Sequence, residues 1–117
     1  MKILIVDDNE ITRDLMKTLL PSMGHQVVGE AGNGNEAAGV FAQVRPELVL
    51  LDLIMPGKSG LEVLKEILGM DPAAKVIMVT AVQQDGISRE LLDAGAMAIL
   101  NKPFTYAEFE EVLKRFK

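Results

Sequence analysis

Short aliphatic runs alternate with helix-period segments along the whole chain, and this alternation constrains the fold more than any other feature. The runs Lys2–Val6, Leu48–Leu51 and Lys75–Thr80 are nearly continuous in Ile, Leu, Val and Met and do not alternate with polar residues. Such runs are typical of strands that are covered on both faces, as in a parallel sheet with helices on each side. The pattern therefore predicts an α/β fold with a single doubly wound sheet.

Two further strands are predicted at residues 25–31 and 97–102, which makes five strand–helix units. The last helix opens with Thr105, and Glu108 follows three residues later, which is the spacing of a capping box. In open sheets of this kind, ligands bind beyond the carboxyl ends of the strands, where the strand order reverses. In the first helix, the helical spacing predicts one apolar stripe, formed by Ile11, Leu15, Met16, Leu19 and Leu20.

The composition excludes several classes of function. The chain has 117 residues, and we expect residues 1–117 to form one domain. A formal net charge of −5 disfavours binding to phosphate backbones and anionic membranes, and only 4% of the residues are aromatic, too few for a nucleic-acid stacking platform. The sequence has no cysteine and no apolar run long enough to cross a membrane, and its first apolar run is too short and too soon followed by aspartates to be expected to act as a signal peptide. We therefore expect a cytoplasmic domain that neither binds nucleic acid directly nor inserts into a membrane.

Polar side chains follow the predicted strands at the points where the strands end. Asp7 and Asp8 follow the first strand, Asp52 follows the third, and Thr80 and Lys102 end the fourth and fifth. Because parallel strands share one carboxyl edge, we expect these side chains to converge there. Three neighbouring carboxylates would repel one another, and one would have a raised pKa unless a cation lay between them.

A hard divalent cation with oxygen ligands resolves this repulsion, and Mg²⁺ suits it best, with Mn²⁺ as an alternative. Lys102 would add a positive charge for a phosphoryl oxygen, and Thr80 would add a hydroxyl donor. A nucleophilic carboxylate, a metal, a cation and a hydroxyl are the parts that phosphoryl transfer onto an aspartate requires. His25, the only histidine, precedes the second strand and is predicted to have a packing or surface role.

The chain resembles a response-regulator receiver domain of the chemotaxis-regulator type over essentially its whole length. The resemblance is carried by four motifs in order, "ILIVDDN", "LVLLDLIMPGKSG", "VIMVTA" and "NKPF". It implies a flavodoxin-like sheet with the strand order 2-1-3-4-5. It also implies a phosphorylation-dependent switch of a two-component system, which takes its phosphoryl group from a sensor histidine kinase or from acetyl phosphate.

The resemblance also implies a role for individual residues. Asp52 would be the phosphoacceptor, and Lys102 would bind a phosphoryl oxygen while the Lys102–Pro103 peptide bond is cis. Thr80 would move toward the phosphoryl group on its arrival. The metal ligands would be Asp8 directly, Asp7 largely through water, Asp52, and the backbone carbonyl of Ile54.

Phosphorylation would change an output surface for which Ile87, Ile99 and Tyr106 are candidates. Receiver domains often carry Tyr or Phe three residues before the lysine, whereas this chain has Ile99 there. The surface would be read by an output protein or by an effector domain that this sequence does not contain.

Two alternatives remain. The first is a phosphatase of the haloacid-dehalogenase type, which also uses Asp, Mg²⁺, Thr and Lys. Such enzymes place a general acid two residues after the nucleophile, where this chain has Ile54. Val82, two residues after Thr80, is also apolar, so slow hydrolysis and no turnover enzyme are expected. The second alternative is a degenerate receiver that acts only as a binding module.

Overall fold

The computed structural model describes residues 1–82 and 84–116, and over these residues strands and helices alternate strictly. The strands are β1 (Lys2–Val6), β2 (Gln26–Ala31), β3 (Leu48–Leu51), β4 (Lys75–Thr80) and β5 (Ala98–Asn101). The helices are α1 (Glu10–Ser22), α2 (Gly34–Val44), α3 (Gly60–Met70), α4 (Asp85–Asp93) and α5 (Tyr106–Lys114). None of the helices in the described residues is long and apolar enough to span a bilayer.

The five strands form one parallel sheet in the order β2-β1-β3-β4-β5, which confirms the predicted class and strand order. The order reverses at β1, which has β2 on one side and β3 on the other. Val6 is paired with Leu51, and Leu51 with Met78, so the carboxyl ends of the three central strands are level. A ligand site is therefore expected beyond Val6 and Leu51.

Two apolar clusters cover the two faces of the sheet. Leu4 and Val6 of β1 belong to the cluster under α2, α3 and α4, whereas Ile3 and Ile5 belong to the cluster under α1 and α5. All four side chains are fully buried. The uninterrupted aliphatic runs thus arise because every strand residue in the sheet centre has a helix above it or below it.

Two of the helices that flank the site, α1 and α5, begin at side-chain caps. The Asn9 side chain accepts hydrogen bonds from the backbone N–H groups of Ile11 and Thr12, which fixes the start of α1. Thr105 and Glu108 form the predicted capping box at the start of α5. Since only three residues separate β1 from α1, the cap of α1 also restrains the Asp7–Asp8 segment.

Candidate metal and phosphoacceptor site

The carboxylates of Asp7, Asp8 and Asp52 converge at the carboxyl edge of the sheet. Each offers one oxygen, and these oxygens all lie within 4.8 Å of one another. Asp7 and Asp52 are almost fully buried, with 1% and 8% of their surface exposed, whereas Asp8 faces solvent. The parallel register of β1 and β3 brings the segments together, as the strand ends predict.

Asp7 is held by hydrogen bonds at each of its polar groups. Its Oδ1 accepts from the Asn9 backbone N–H at 2.9 Å, and its Oδ2 accepts from the Lys102 Nζ at 2.6 Å. Its backbone N–H donates to the carbonyl of Ala31 at 3.1 Å, and its own carbonyl accepts from the Arg13 guanidinium at 2.6 Å. The carboxylate and the backbone of Asp7 are therefore fixed in direction before any ligand binds.

Asp52 keeps one carboxylate oxygen available. Its Oδ1 accepts from the backbone N–H of Leu53 at 2.8 Å, while its Oδ2 lies 3.5 Å from the Lys102 Nζ. Burial raises the pKa of the Asp52 carboxyl, Lys102 opposes this, and Asp7 and Asp8 add to it. Repulsion among the carboxylates, the cause expected from the sequence, contributes to this rise in pKa, but removal from water is the larger cause.

Lys102 is the counter-charge of the cluster. It follows β5, its side chain is 20% exposed, and its Nζ lies between the Oδ2 atoms of Asp7 and Asp52. Three carboxylates and one ammonium leave a formal charge of −2 when all are ionised. That excess matches one divalent cation.

Thr80, the last residue of β4, is 2% exposed. Its Oγ1 accepts a hydrogen bond from the backbone N–H of Val82 at 3.2 Å, which leaves the hydroxyl proton free to be donated. The backbone N–H of Lys102 donates to the Thr80 carbonyl at 2.9 Å. The hydroxyl and the ammonium are thus attached to neighbouring strand ends, and the Lys102–Pro103 peptide bond is cis.

The donor set fits Mg²⁺, because its members are all oxygens and a hard cation prefers such ligands. Beyond β3, the Leu53 carbonyl accepts from the backbone N–H of Gly60 at 2.6 Å and is therefore engaged. Within residues 1–82 and 84–116, no hydrogen bond ends on the next carbonyl, that of Ile54, and Ile54 is 66% exposed. A backbone carbonyl two residues after Asp52 is thus not engaged by another group of the described residues.

The loop from Ile54 to Ser59 is supported by the start of α2. The backbone N–H of Gly34 donates to the Pro56 carbonyl at 3.2 Å. A Cβ at position 34 would collide with the Lys58 carbonyl oxygen, and a Cβ at position 60 would collide with the Asp52 carbonyl oxygen. Only glycine permits these approaches, so the backbone around Asp52 is closely enclosed on this side.

A family profile of the response regulator receiver domain matches residues 3–114. The chain belongs to this family. It is a receiver domain of the kind found in two-component response regulators, and it acts as a phosphorylation-dependent switch. The family assignment agrees with the sheet order and with the acidic cluster described above.

Named relatives resemble the receiver domain over nearly their whole length. Protein CcdB of Bacillus subtilis is 38% identical over 97% of this chain and 95% of that protein. The chemotaxis protein CheY of Thermotoga maritima is 36% identical over the same shares of the two chains. The CheX–CheY–BeF3–Mg complex of Borrelia burgdorferi contains a chain that superposes with a TM-score of 0.91 at 30% identity, covering 98% of this chain and 85% of that one.

The candidate switch residues Ile87 and Ile99 pack against the same apolar cluster, the one under α2, α3 and α4. Ile87 is half-buried and lines a groove with Ile54 and Val82 beside the acidic cluster. Ile99 is also half-buried but lines a different cleft. Tyr106, 45% exposed, lines neither depression. Of the three, Ile87 is therefore the one that lines a groove with Leu53 and Ile54, the residues that directly follow Asp52.

His25 is buried at the amino end of β2, with its Nδ1 at 3.1 Å from the terminal amino group, which agrees with the predicted packing role.

Arg13 contacts the backbone carbonyl of Asp7, and the sequence did not predict this contact. Its only signal in the sequence is a basic residue in the second turn of α1, close behind the acidic pair.

Proposed function

We propose that Asp52 is the phosphoacceptor of this receiver domain and that Asp7, Asp8, Asp52 and the Ile54 carbonyl hold a magnesium ion. The observation that carries the proposal is the position of Asp52 Oδ2, which lies in a largely buried anionic site, 3.5 Å from the Lys102 ammonium. When bound, Mg²⁺ neutralises the charge that accumulates between the acceptor and the phosphoryl group. Mn²⁺ would take the same oxygen ligands.

In the transfer step, Asp52 Oδ2 forms a bond to phosphorus as the bond between phosphorus and the donor breaks. The donor is a phosphohistidine of a sensor histidine kinase, whose imidazole nitrogen keeps the electron pair of the broken bond. With acetyl phosphate, acetate leaves instead. Lys102 then contacts a phosphoryl oxygen, and the Thr80 hydroxyl donates to another.

The new contacts of Thr80 and Lys102 favour a different arrangement of α4, β5 and α5. Thr80 ends β4, which leads into α4, and Lys102 directly follows β5 and leads into α5, so a small shift at the site is passed on directly. Ile87, Ile99 and Tyr106 report the change at the surface. An output protein, or an effector domain of a longer chain, reads it in the cytoplasm, with residues 1–117 acting as one receiver unit.

The domain functions as a switch rather than as a turnover enzyme. The phosphatase alternative requires a proton donor or acceptor close to the phosphoryl group. Ile54 and Val82, which line the groove beside Asp52, carry neither. Water that reaches the acyl phosphate is therefore not activated, and the phosphoryl group persists.

Labelling with acetyl phosphate and Mg²⁺ tests the proposal. We expect intact-protein and peptide mass spectrometry to find a phosphoryl adduct on Asp52, which Asp52→Asn abolishes. Asp93→Asn is the matched control, because Asp93 is an exposed carboxylate at the end of α4. A folded, Mg²⁺-supplied protein that stays unlabelled at Asp52 would contradict the proposal.

Beryllofluoride separates a switch from a degenerate receiver. With Mg²⁺, it should shift the methyl resonances of Ile87 and Ile99. Unchanged resonances throughout would favour the degenerate binding module, and shifts confined to the acidic edge would contradict the proposed output route.

A further inference from the structure

Arg13 joins the acidic edge of the sheet to the end of the outer strand β2. Its guanidinium donates from Nη1 to the Asp7 carbonyl at 2.6 Å and from Nε to Glu30 Oε1 at 2.9 Å. The Arg13 side chain is only 16% exposed. Arginine suits this place because its planar guanidinium holds several N–H donors in fixed directions and can therefore bind two acceptors at once. The ammonium of a lysine does not fix its donors in this way.

The Arg13 guanidinium is itself held in place. Glu30 accepts from Arg13 with Oε1 and from the Lys17 ammonium with Oε2 at 2.8 Å. The hydrogen bond from Lys17, together with the weaker contribution of Arg13, lowers the pKa of Glu30, so Glu30 stays ionised. Gly32 lies against the other side, where an added Cβ would be 3.3 Å from Nη1. The donor to Asp7 therefore has little freedom to move.

The carbonyl that Arg13 binds belongs to the peptide bond between Asp7 and Asp8. A peptide unit is planar and includes both of its Cα atoms, so a fixed carbonyl fixes the plane from which both side chains leave. Asp7 has further restraints from Asn9 and Lys102. In the part of the chain that the structure describes, no hydrogen bond reaches the Asp8 carboxylate. The orientation of Asp8 thus depends on this peptide plane more than that of Asp7 does.

We infer that Arg13 is a positioning residue of the divalent-cation site and acts through the Asp7–Asp8 peptide bond without touching the ion. This inference rests on the proposed binding of a divalent cation by the acidic cluster. The direction in which the Mg²⁺ affinity changes when Arg13 is replaced distinguishes this role from a purely electrostatic one. Removal of a nearby positive charge would by itself strengthen cation binding, whereas loss of a positioning contact weakens it.

Titration calorimetry with Mg²⁺ alone tests the inference, with Arg13→Gln compared with Lys17→Gln. Both variants remove one positive charge from α1 and one partner from Glu30, but only Arg13 contacts Asp7. We expect Arg13→Gln to weaken Mg²⁺ binding about tenfold, as other outer-shell contacts do. Lys17→Gln should stay within about twofold of wild type, because exposed ion pairs contribute little.

Arg13→Lys keeps the positive charge but changes the geometry of the hydrogen-bond donors, so it separates the two effects. It also has good helix propensity and can be used if Arg13→Gln folds poorly. We expect it to bind Mg²⁺ more weakly than wild type; affinity equal to wild type would overturn the inference. Labelling by acetyl phosphate supplies a second readout. For Arg13→Gln the Mg²⁺ concentration at half-maximal rate should rise, while the rate at saturating Mg²⁺ stays near that of wild type.

A purely structural Arg13 would lower the melting temperature and leave the Mg²⁺ affinity of the folded protein unchanged, which would overturn the inference. Mg²⁺ binding by wild type without labelling of Asp52 would overturn the proposed phosphoacceptor function instead. The two failures are therefore distinguishable in the same set of proteins.

Discussion

The Lys102 ammonium lies 2.6 Å from Asp7 Oδ2 but 3.5 Å from Asp52 Oδ2. The lysine is therefore paired mainly with a proposed metal ligand and only secondarily with the proposed phosphoacceptor. A cation that binds Asp7 competes with this ion pair. Displacement of the ammonium from Asp7 would leave it free to turn toward the phosphoryl group.

Replacement of Lys102 by Met should separate its two contributions. We expect Mg²⁺ to bind severalfold more tightly, because the competing ammonium is gone, and labelling of Asp52 by acetyl phosphate to slow by roughly 100-fold or more, as for loss of other transition-state donors. Calorimetry and labelling rates measure the two effects. Weaker Mg²⁺ binding in this variant would show that Lys102 does not compete with the ion.

Mg²⁺ should stabilise the protein in a manner that depends on the acidic cluster. Linkage predicts about 2.7 kcal/mol at a concentration of 100 Kd, which corresponds to roughly 10 °C in melting temperature. Thermal melts with and without a chelator measure the shift. It should shrink strongly in Asp8→Asn and remain in Asp14→Asn, since Asp14 lies on the exposed surface of α1. An equal shift in both variants would place the ion elsewhere.

Replacement of Asp52 by Asn should raise the melting temperature of the metal-free protein at neutral pH, by roughly 3 °C. The physical reason is that the folded state holds this carboxylate with little water around it, which raises its pKa. A raised pKa means that the folded state binds the proton more tightly than the unfolded state. Wild type therefore loses stability as pH rises through the folded pKa and regains it as pH falls.

The advantage of Asp52→Asn should accordingly diminish as the pH of the melts is lowered from 7 toward the ordinary pKa of Asp. Melts of both proteins in chelator across this range provide the measurement. An advantage that grows on acidification would have the wrong sign for a carboxyl with a raised pKa.

Glycine at position 60 should be essential, whereas glycine at position 69 of the same helix should not. A Cβ on residue 60 meets the Asp52 carbonyl oxygen and the Leu53 Cα, while a Cβ on residue 69 meets no atom within 4 Å. We expect Gly60→Ala to cost roughly 1–3 kcal/mol of unfolding free energy and to impair labelling. Gly69→Ala should be neutral or stabilising by up to about 1 kcal/mol. Urea unfolding of the pair measures both, and equal stabilities would refute the close packing at residue 60.

The convergence of Asp7 and Asp52 could be predicted from the sequence because it depends on backbone topology alone. Both residues follow aliphatic runs, and parallel strands bring such positions to one edge. The bridge formed by Arg13 could not be predicted, because it depends on the rotamer of a long side chain and on Glu30 of another strand. For the same reason, the sequence could not predict that the Lys102 ammonium lies closer to Asp7 than to Asp52.

The predicted apolar stripe of α1 was too wide, because two of its five residues are exposed and do not face the sheet. Met16 and Leu20 are buried, but Ile11 is 79% and Leu15 is 48% exposed. Residues 11 and 15 form one row of the helix and residues 16 and 20 another, about 140° away at 3.6 residues per turn. The spacing of the apolar residues predicts a helix for both rows, but it does not show which of the two rows packs against the sheet.

The close backbone contacts of Gly34 and Gly60 restrict motion on one side of Asp52. On the α2 and α3 side of Asp52, backbone touches backbone, and the Lys58–Glu66 ion pair at 2.7 Å adds a further tie. On the opposite side, α4 begins at Asp85 without a side-chain hydrogen bond from its preceding residue, and an apolar groove separates it from Ile54. The side of Asp52 that faces α2 and α3 is thus closely packed and the side that faces α4 is not, so we expect a structural change that starts at Asp52 to be accommodated mainly by α4.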